Sequence, residues 1–314
     1  MRIGYVVDAG CDLPQSIIDQ ENVVVLPIAV RIGEQVINDS RQDVVSQQFL
    51  DSGIAKDAAE AETIPYTVEQ ISELFLTKLV VDYDYVMVQT ITASRSPIYE
   101  RCVQASFKIL SEYHAPREAA GFATPFNMRV VDTGTLFTGQ AVVAWEAIQL
   151  RHNGTSTQAI RNRIDRVIAN THGFLVTPDL YYIRNRGRAK GDRSVSLLSA
   201  ALGTTLDIKP LLYANRGMTK PVAKLRGFEP ACEKMLNYAT RAVGQGLLTP
   251  VVSLAYGGDL DEMRNMPGYA SLKQACLNNG VTLLESMMSL TGLINIGAGT
   301  LSVAFAQEGV FNFD

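Results

Sequence analysis

Five cations fall within ten residues of this chain: Arg184, Arg186, Arg188, Lys190 and Arg193. An uncharged run of Ser, Val, Leu, Ala, Gly and Thr follows from Ser194 to Leu206. A positive rim beside an apolar, small-residue wall has the chemistry to hold an amphiphile. The cations meet an anionic head, and the wall removes an apolar body from water. The same pattern also reads as a solvated loop followed by an ordinary buried helix.

Other chemistries find little support. No Gly-Lys dipeptide occurs, which excludes a Walker phosphate loop, and there is no G-x-S-x-G nucleophile elbow. Gly297-Ala298-Gly299 lacks the third glycine and the following chain that a dinucleotide fingerprint needs, so it reads as a turn. His114, His152 and His172 are the only histidines and stand at no ligand spacing. Cys11, Cys102, Cys232 and Cys276 form no CxxC pair and read as free thiols. The sequence calls for no metal, no cofactor and no catalytic residue.

What remains is a set of polar groups at strand ends, where open parallel sheets bind ligands. Asp8 follows the first apolar run, Thr90 and Thr92 follow Tyr85–Gln89, and Asp132 and Thr133 follow Arg129–Val131. Thr63 lies in Glu62-Thr63-Ile64-Pro65-Tyr66-Thr67, a loop entering a helix. Hydroxyls and helix N-terminal amides from such loops suit an anion. Thr67 itself reads as a helix cap.

The elements that must position these groups alternate in the first half. Ile3–Val7 reads as a buried strand, with Asp12 as the N-cap of the helix that Pro14 opens. Val23–Ile32 reads as one strand and Val44–Leu50 as a short helix. The capping box Thr67–Gln70 starts a helix to about Val81. Tyr85–Gln89 and Arg129–Val131 are strands; Pro97–Tyr113 and Thr138–Asn153 are helices; His114–Met128 is an irregular excursion. This rhythm predicts a parallel sheet covered on both faces. In the second half, helices at Ser156–Asn170, Val195–Leu202, Pro230–Val243 and Tyr269–Asn279 mix with strands at His172–Thr177, Val251–Tyr256, Thr282–Met287 and Leu301–Ala306. Lys209–Tyr213 and Pro221–Leu225 pair around the turn Asn215-Arg216-Gly217. A mixed sheet with helices on one side is expected.

Charge divides the chain of 314 residues in the same place. Residues 1–150 carry 10 Lys/Arg against 20 Asp/Glu, and residues 151–314 carry 18 against 12. Two domains are expected, 1–154 and 155–314. The basic half lacks the aromatic platforms of a nucleic-acid surface. The apolar run Ile3–Val7 is too short for a signal peptide, and no stretch nears the roughly 20 apolar residues of a membrane span. The expectation is a cytoplasmic protein without integral membrane contact.

Read in order, these motifs resemble the DegV family of bacterial fatty-acid-binding proteins. Val7-Asp8-Ala9-Gly10-Cys11-Asp12-Leu13-Pro14 is similar to that family's Thr-Asp-Ser-Thr-x-Asp-Leu-Pro opening. Thr63-Ile64-Pro65-Tyr66-Thr67 resembles its Thr-Ser-x-Pro-Ser loop, Ile91 to Pro97 its Ile-Ser-Ser-x-x-Ser-Gly, and Val131-Asp132-Thr133 its Ile-Asp-Ser. Leu180 to Leu212 and Pro221 to Gly227 resemble its Gly-Gly-Arg…Lys-Pro block and its Pro-Val-x-Lys-x-Arg-Gly.

The resemblance implies an N-terminal three-layer α/β/α domain with a parallel sheet and a C-terminal two-layer α/β domain with a mixed sheet. It implies a long-chain fatty acid in an apolar tunnel, its carboxylate at the interdomain cleft, presented by a non-enzyme to a dihydroxyacetone-kinase-like partner for phosphorylation. Carried over by position, Thr63, Thr92 and Arg188 hold the carboxylate. Val195, Leu197, Leu198, Ala201, Leu202 and Leu206 are the tunnel candidates, with core packing as their alternative. Arg184, Arg186 and Arg188 face the partner. Asn295 stands where the family carries a His that helps hold the carboxylate, and Ala9 and Ala93 replace hydroxyl residues. Burying about 16 carbons at ~0.8 kcal/mol per CH₂ offers on the order of 12 kcal/mol before ordering costs, so the wall sets affinity. Two alternatives stay open: an enzyme on a small phosphorylated or carboxylated metabolite, and a lipid carrier or sensor that meets no kinase.

Overall fold

The computed structural model describes residues 1–53, 61–180, 182–183, 207–309 and 313. In the first half, β1 (Ile3–Asp8), β2 (Val24–Leu26), β6 (Tyr85–Thr90) and β7 (Asn127–Asp132) form a parallel sheet in the order β2-β1-β6-β7. Every residue of β6 is buried, as a near-continuous apolar run demands when helices cover both faces. One face packs on α3 (Val68–Leu74) and α5 (Ile98–Lys108), through Val6, Val24, Val86 and Val88 against Ile71, Ile98 and Cys102. The other packs on α7 (Thr138–His152), through Tyr5, Val7, Tyr85 and Met87. The reciprocal Thr67–Gln70 capping box is formed at the start of α3.

In the second half, β8 (Thr171–Val176), β9 (Ile208–Asn215), β10 (Met218–Arg226), β11 (Val251–Tyr256), β12 (Thr282–Met287) and β13 (Leu301–Ala306) form a mixed sheet, ordered β10-β9-β8-β13-β11-β12. Only β11 and β12 run parallel; the other pairs are antiparallel. Phe174, Val303 and Phe305 face the long helix α9 (Phe228–Gln245) and α11 (Tyr269–Asn278).

Four expectations need correction. The expected single strand Val23–Ile32 breaks at Pro27, which has no N–H to continue a ladder. The chain leaves the parallel sheet there, and β3 (Ile28–Ile32) founds a separate antiparallel sheet between β4 (Gln35–Asp39) and β5 (Glu62–Pro65), so Thr63, expected in a loop, lies on a strand paired with β3. Asp12 caps no helix: Pro14 takes the N-cap position of α1 (Gln15–Gln20) without a side-chain bond. The stretch after His114 contains the helix α6 (His114–Ala119), whose Pro116 sits in the first turn where a missing N–H costs nothing. Arg117 of that helix is buried, donating to the carbonyls of Val80 (2.8 Å) and Tyr83 (2.7 Å) and to Asp84 (2.7 Å).

The fourth correction matters most for the site. The mixed sheet is covered on both faces, because α7 fits between the two large sheets. From Thr138 to Ile148 every residue of α7 is buried, as a helix with a sheet on either side must be. Its far side meets Val251, Ala304 and Ala306, with α8 (Thr157–Ala169) alongside. No helix among the described residues is long and apolar enough to cross a membrane.

Candidate functional site

Beside α7, on the same face of the mixed sheet, lies a second apolar cluster built from both halves. Val30 of β3, Phe49 and Ala61 come from the small-sheet region, and Phe137 from the approach to α7. Leu175 of β8 and its register partner Leu212 of β9 come from the mixed sheet. Leu290, Leu293, Ile294 and Ile296 come from α12 (Leu290–Ile296), and Tyr182 and Ile183 complete it.

Of the described head-group candidates, Thr63 faces this cluster, and Asn295 and Thr92 lie on or beside segments that supply its residues. Thr63 stands opposite Val30 in the antiparallel β3–β5 pair, which puts the two side chains on one face, and Val30 is wholly buried in the cluster. Asn295 lies on α12 between cluster residues, its Nδ2 donating to the carbonyl of Thr291 at 2.7 Å. Thr92 is tied to the loop that supplies Leu136 and Phe137, since its N–H donates to the carbonyl of Thr135 at 3.1 Å.

Thr92 is also roofed by the β9–β10 hairpin. The Gly217 carbonyl accepts from Ser94 Oγ (2.8 Å), the Gly217 N–H donates to the Gly134 carbonyl (2.7 Å), and Thr92 Oγ1 lies 3.3 Å from Ser94 Oγ. The hairpin turn falls at Asn215-Arg216-Gly217 as its sequence predicts. Gly217 has φ of +77°, and a Cβ there would lie 3.2 Å from Thr92 Oγ1, so the turn needs glycine on both counts.

The remaining strand-end groups are spent on the scaffold. Asp8 is fully buried and accepts from the N–H groups of Gly10 (2.9 Å) and Ile91 (2.5 Å). Asp132 accepts from the N–H groups of Gly134 (2.8 Å) and Ala93 (3.2 Å), and Thr133 Oγ1 donates to the Thr90 carbonyl (2.8 Å). Thr90 Oγ1 faces the Val131 carbonyl at 3.4 Å. Gly297 and Gly299, both at positive φ, turn the chain from α12 into β13. Arg184, Arg186 and Arg188, and Val195, Leu197, Leu198, Ala201, Leu202 and Leu206, lie outside the described residues.

Sequence reasoning missed a buried polar network at the N-terminus of α12. Asp12 Oδ1 accepts from the Ser289 N–H (2.9 Å), and the Asp12 carbonyl accepts from Ser286 Oγ (2.8 Å). Asp39 Oδ2 accepts from the Thr291 N–H (2.7 Å), and its Oδ1 accepts from the Arg41 N–H (3.0 Å). Arg41, fully buried at φ +66°, donates from Nε to the Cys11 carbonyl (2.8 Å), from Nη2 to the Met287 carbonyl (2.9 Å) and from Nη1 to Asp43 (3.1 Å). Burial raises the carboxyl of Asp12 to about 6 against the pull of Arg41, and that of Asp8 to about 6 against its backbone donors. Asp39 is raised by burial against the donors of Thr291 and Arg41. Two surface concavities, walled by Gln245, Gly246 and Leu247, lie at the other end of β11 and touch none of the candidates.

A three-layer α/β/α half and a mixed-sheet half, with an apolar cluster where they meet, define a two-part α/β fold. The comparisons make the class particular. The model of the family described as "Uncharacterised protein, DegV family" matches residues 2–308, and the chain belongs to the DegV family. DegV domain-containing proteins of Xanthomonas axonopodis pv. citri and Xanthomonas campestris pv. campestris are each 52% identical over 308 residues, 98% of both chains. The fold matches a stearic-acid-binding protein from Eubacterium ventriosum with a TM-score of 0.76 and 18% identity, over 97% of this chain and 98% of that one. It matches DegV from Bacillus subtilis, a fatty-acid-binding protein, with a TM-score of 0.74 and 16% identity, over 98% and 100%.

Proposed function

We propose that this protein binds a long-chain fatty acid and has no chemistry of its own. The observation that carries the reading is that the strand bearing Thr63 and the helix bearing Asn295, more than two hundred residues apart, meet at one apolar cluster contributed by both halves. An apolar body with an anionic head is the ligand that apolar side chains flanked by a hydroxyl and an amide suit. Structural neighbours described as binding stearic acid and other fatty acids support it.

In this reading residues 1–154 and 155–314 are the two domains, with α7 as their shared layer. Thr63, Thr92, Asn295 and Arg188 hold the carboxylate, and Val195, Leu197, Leu198, Ala201, Leu202 and Leu206 line the acyl tunnel. Arg184, Arg186 and Arg188 face a dihydroxyacetone-kinase-like partner that phosphorylates the bound acid. Each head-group bond contributes about 1 kcal/mol, up to ~3 when charge-assisted, so these residues act chiefly against the several kcal/mol lost by an unpaired buried carboxylate.

The test is mass spectrometry of the purified protein, native and after solvent extraction. A stoichiometric fatty acid is expected, with its chain length giving the tunnel its size. A lipid-free protein that also fails to bind added oleate and palmitate overturns the reading in favour of an enzyme on a small metabolite.

A further inference from the structure

Strand β12 enters α12 through Ser286 to Thr291, and the first half of the chain grips that passage at four points. Ser286 Oγ donates to the Asp12 carbonyl, the Met287 carbonyl accepts from Arg41, the Ser289 N–H donates to Asp12, and the Thr291 N–H donates to Asp39. These bonds span 246 to 277 residues of sequence. Each end of the Thr291 residue is engaged: its N–H on Asp39 and its carbonyl on the side-chain amide of Asn295 at 2.7 Å. Ser289, held by Asp12, is also the N-cap that accepts from the Gly292 N–H at 3.1 Å.

We infer that Asp39 and Asp12 are positioning residues that orient Asn295 through the first turn of α12, and thereby set selectivity for a carboxylate head. The inference rests on the fatty-acid reading and on Asn295 lying at the head group. α12 has only two turns: its last carbonyls are held by Tyr182 on Ile294 (2.8 Å) and Thr300 on Ile296 (3.0 Å), and its first turn, which carries the Thr291 carbonyl, is held by Asp12 and Asp39. A carboxylate accepting a backbone N–H is short, directional and charge-assisted. With Asp39 in place the backbone of Thr291 is anchored at its N–H, and the Asn295 amide, bonded to the carbonyl of the same residue, points one way. Without it, the apolar side chains Leu290, Leu293 and Ile294 and the bonds at its C-terminal end still hold α12, but its first turn is free to shift by fractions of a helical step.

The experiment compares binding of oleate with binding of oleyl alcohol, which has the same chain and no carboxylate. Wild type, Asp39→Ala, Asn295→Ala and the double variant are measured, each with its melting temperature. Asp39→Ala is expected to weaken oleate about tenfold while changing oleyl alcohol less than about twofold. The double variant is expected to lose no more selectivity than Asn295→Ala alone, because both substitutions remove one effect. An Asp39→Ala protein with a lowered melting temperature and wild-type selectivity shows a merely structural role and overturns the inference. Additive losses in the double variant overturn it too. Should Asp39→Ala fail to fold, Asp39→Asn and Asp12→Asn carry the test: each keeps one acceptor oxygen, a several-fold loss of selectivity is expected, and wild-type selectivity in both is fatal. A wild type that binds neither ligand sinks the fatty-acid reading itself, and this inference with it.

Discussion

The two halves meet along two seams of opposite character. Along α7, Ala141, Val142, Ala144, Ala147 and Ile148 lie among Tyr5 and Val7 on one side and Ala304 and Ala306 on the other. Thr138 and Ser302 add a hydroxyl pair at 2.7 Å. At α12 the contact is made by buried carboxylates, a buried guanidinium and backbone groups. Apolar burial is strong but indifferent to small rotations, whereas hydrogen bonds are weaker in net terms and fix direction. The first seam buries apolar surface between the halves; the second, in our proposal, orients the first turn of α12.

The largest effect is expected from Arg41→Met. It removes the cation whose charge opposes the raised pKa of Asp12 and leaves the carbonyls of Cys11 and Met287 without that donor. Stripping one partner from a buried charged network costs about 3–5 kcal/mol. Urea denaturation at neutral pH measures it, and a loss under about 1 kcal/mol would mean that the polar seam is held by something other than this guanidinium. Ile148→Ala comes next, at about 3 kcal/mol, from lost transfer energy and the cavity left between the two sheets. Oleate selectivity should survive it. If selectivity collapses, the apolar seam also sets direction and the contrast between the seams fails.

A smaller effect separates the buried aspartates of the first half from the aromatic interior of the mixed sheet. Asp8 and Asp12 have folded carboxyls near 6, above the roughly 3.9 of an unfolded Asp. The native state therefore holds protons that the unfolded chain has released. Their stabilising contribution is full below about pH 4 and is lost as pH rises through about 6. His172 acts in the opposite sense. Burial lowers its pKa, helped by Arg216 and opposed by the Gln307 carbonyl, so its contribution is present above about pH 6.5 and lost as pH falls. Going from pH 7 to pH 5, the two aspartates together stabilise by about 2 kcal/mol and His172 subtracts from that. His172→Gln should therefore gain more stability on this acidification than wild type does. An equal gain in both proteins would show that His172 titrates normally.

Much of this arrangement was legible in the chain because it is local. The apolar run of β6, the Thr67–Gln70 box and the turn at Asn215-Arg216-Gly217 each lie within a few residues, and each is found as read. The ordered series of short motifs identified the family for the same reason. The polar seam was not legible. Asp12-Leu13-Pro14 has the local grammar of a helix start, yet Asp12 bonds an N–H 277 residues away. Asp39 and Arg41 sit in the charged, polar stretch Asn38-Asp39-Ser40-Arg41-Gln42-Asp43, where composition predicts a solvated loop, and both are buried. Nor does periodicity reveal that α7 serves two sheets. Its all-round burial shows only as a long run with little charge, and the pattern does not say what covers the second side.

The smallest expected effect tests a third point of contact, the β9–β10 hairpin tip over Thr92. Gly217→Ala asks an L-residue to hold φ of +77° and sets a methyl 3.2 Å from where Thr92 Oγ1 now lies. The backbone cost is about 1 kcal/mol, a few degrees in melting temperature. The methyl also presses on Thr92, whose hydroxyl is already confined by Ser94. If Thr92 meets the head group, oleate binding falls several-fold while oleyl alcohol binding holds, from a substitution on a strand turn more than a hundred residues away in sequence. If both ligands weaken together, the tip acts only as a clasp between halves, and its place in the comparison is with α7 rather than with α12. If stability falls while both affinities stay at wild type, Thr92 is a scaffold residue like Thr90 and Thr133, and the head group rests on Thr63 and Asn295 among the described candidates.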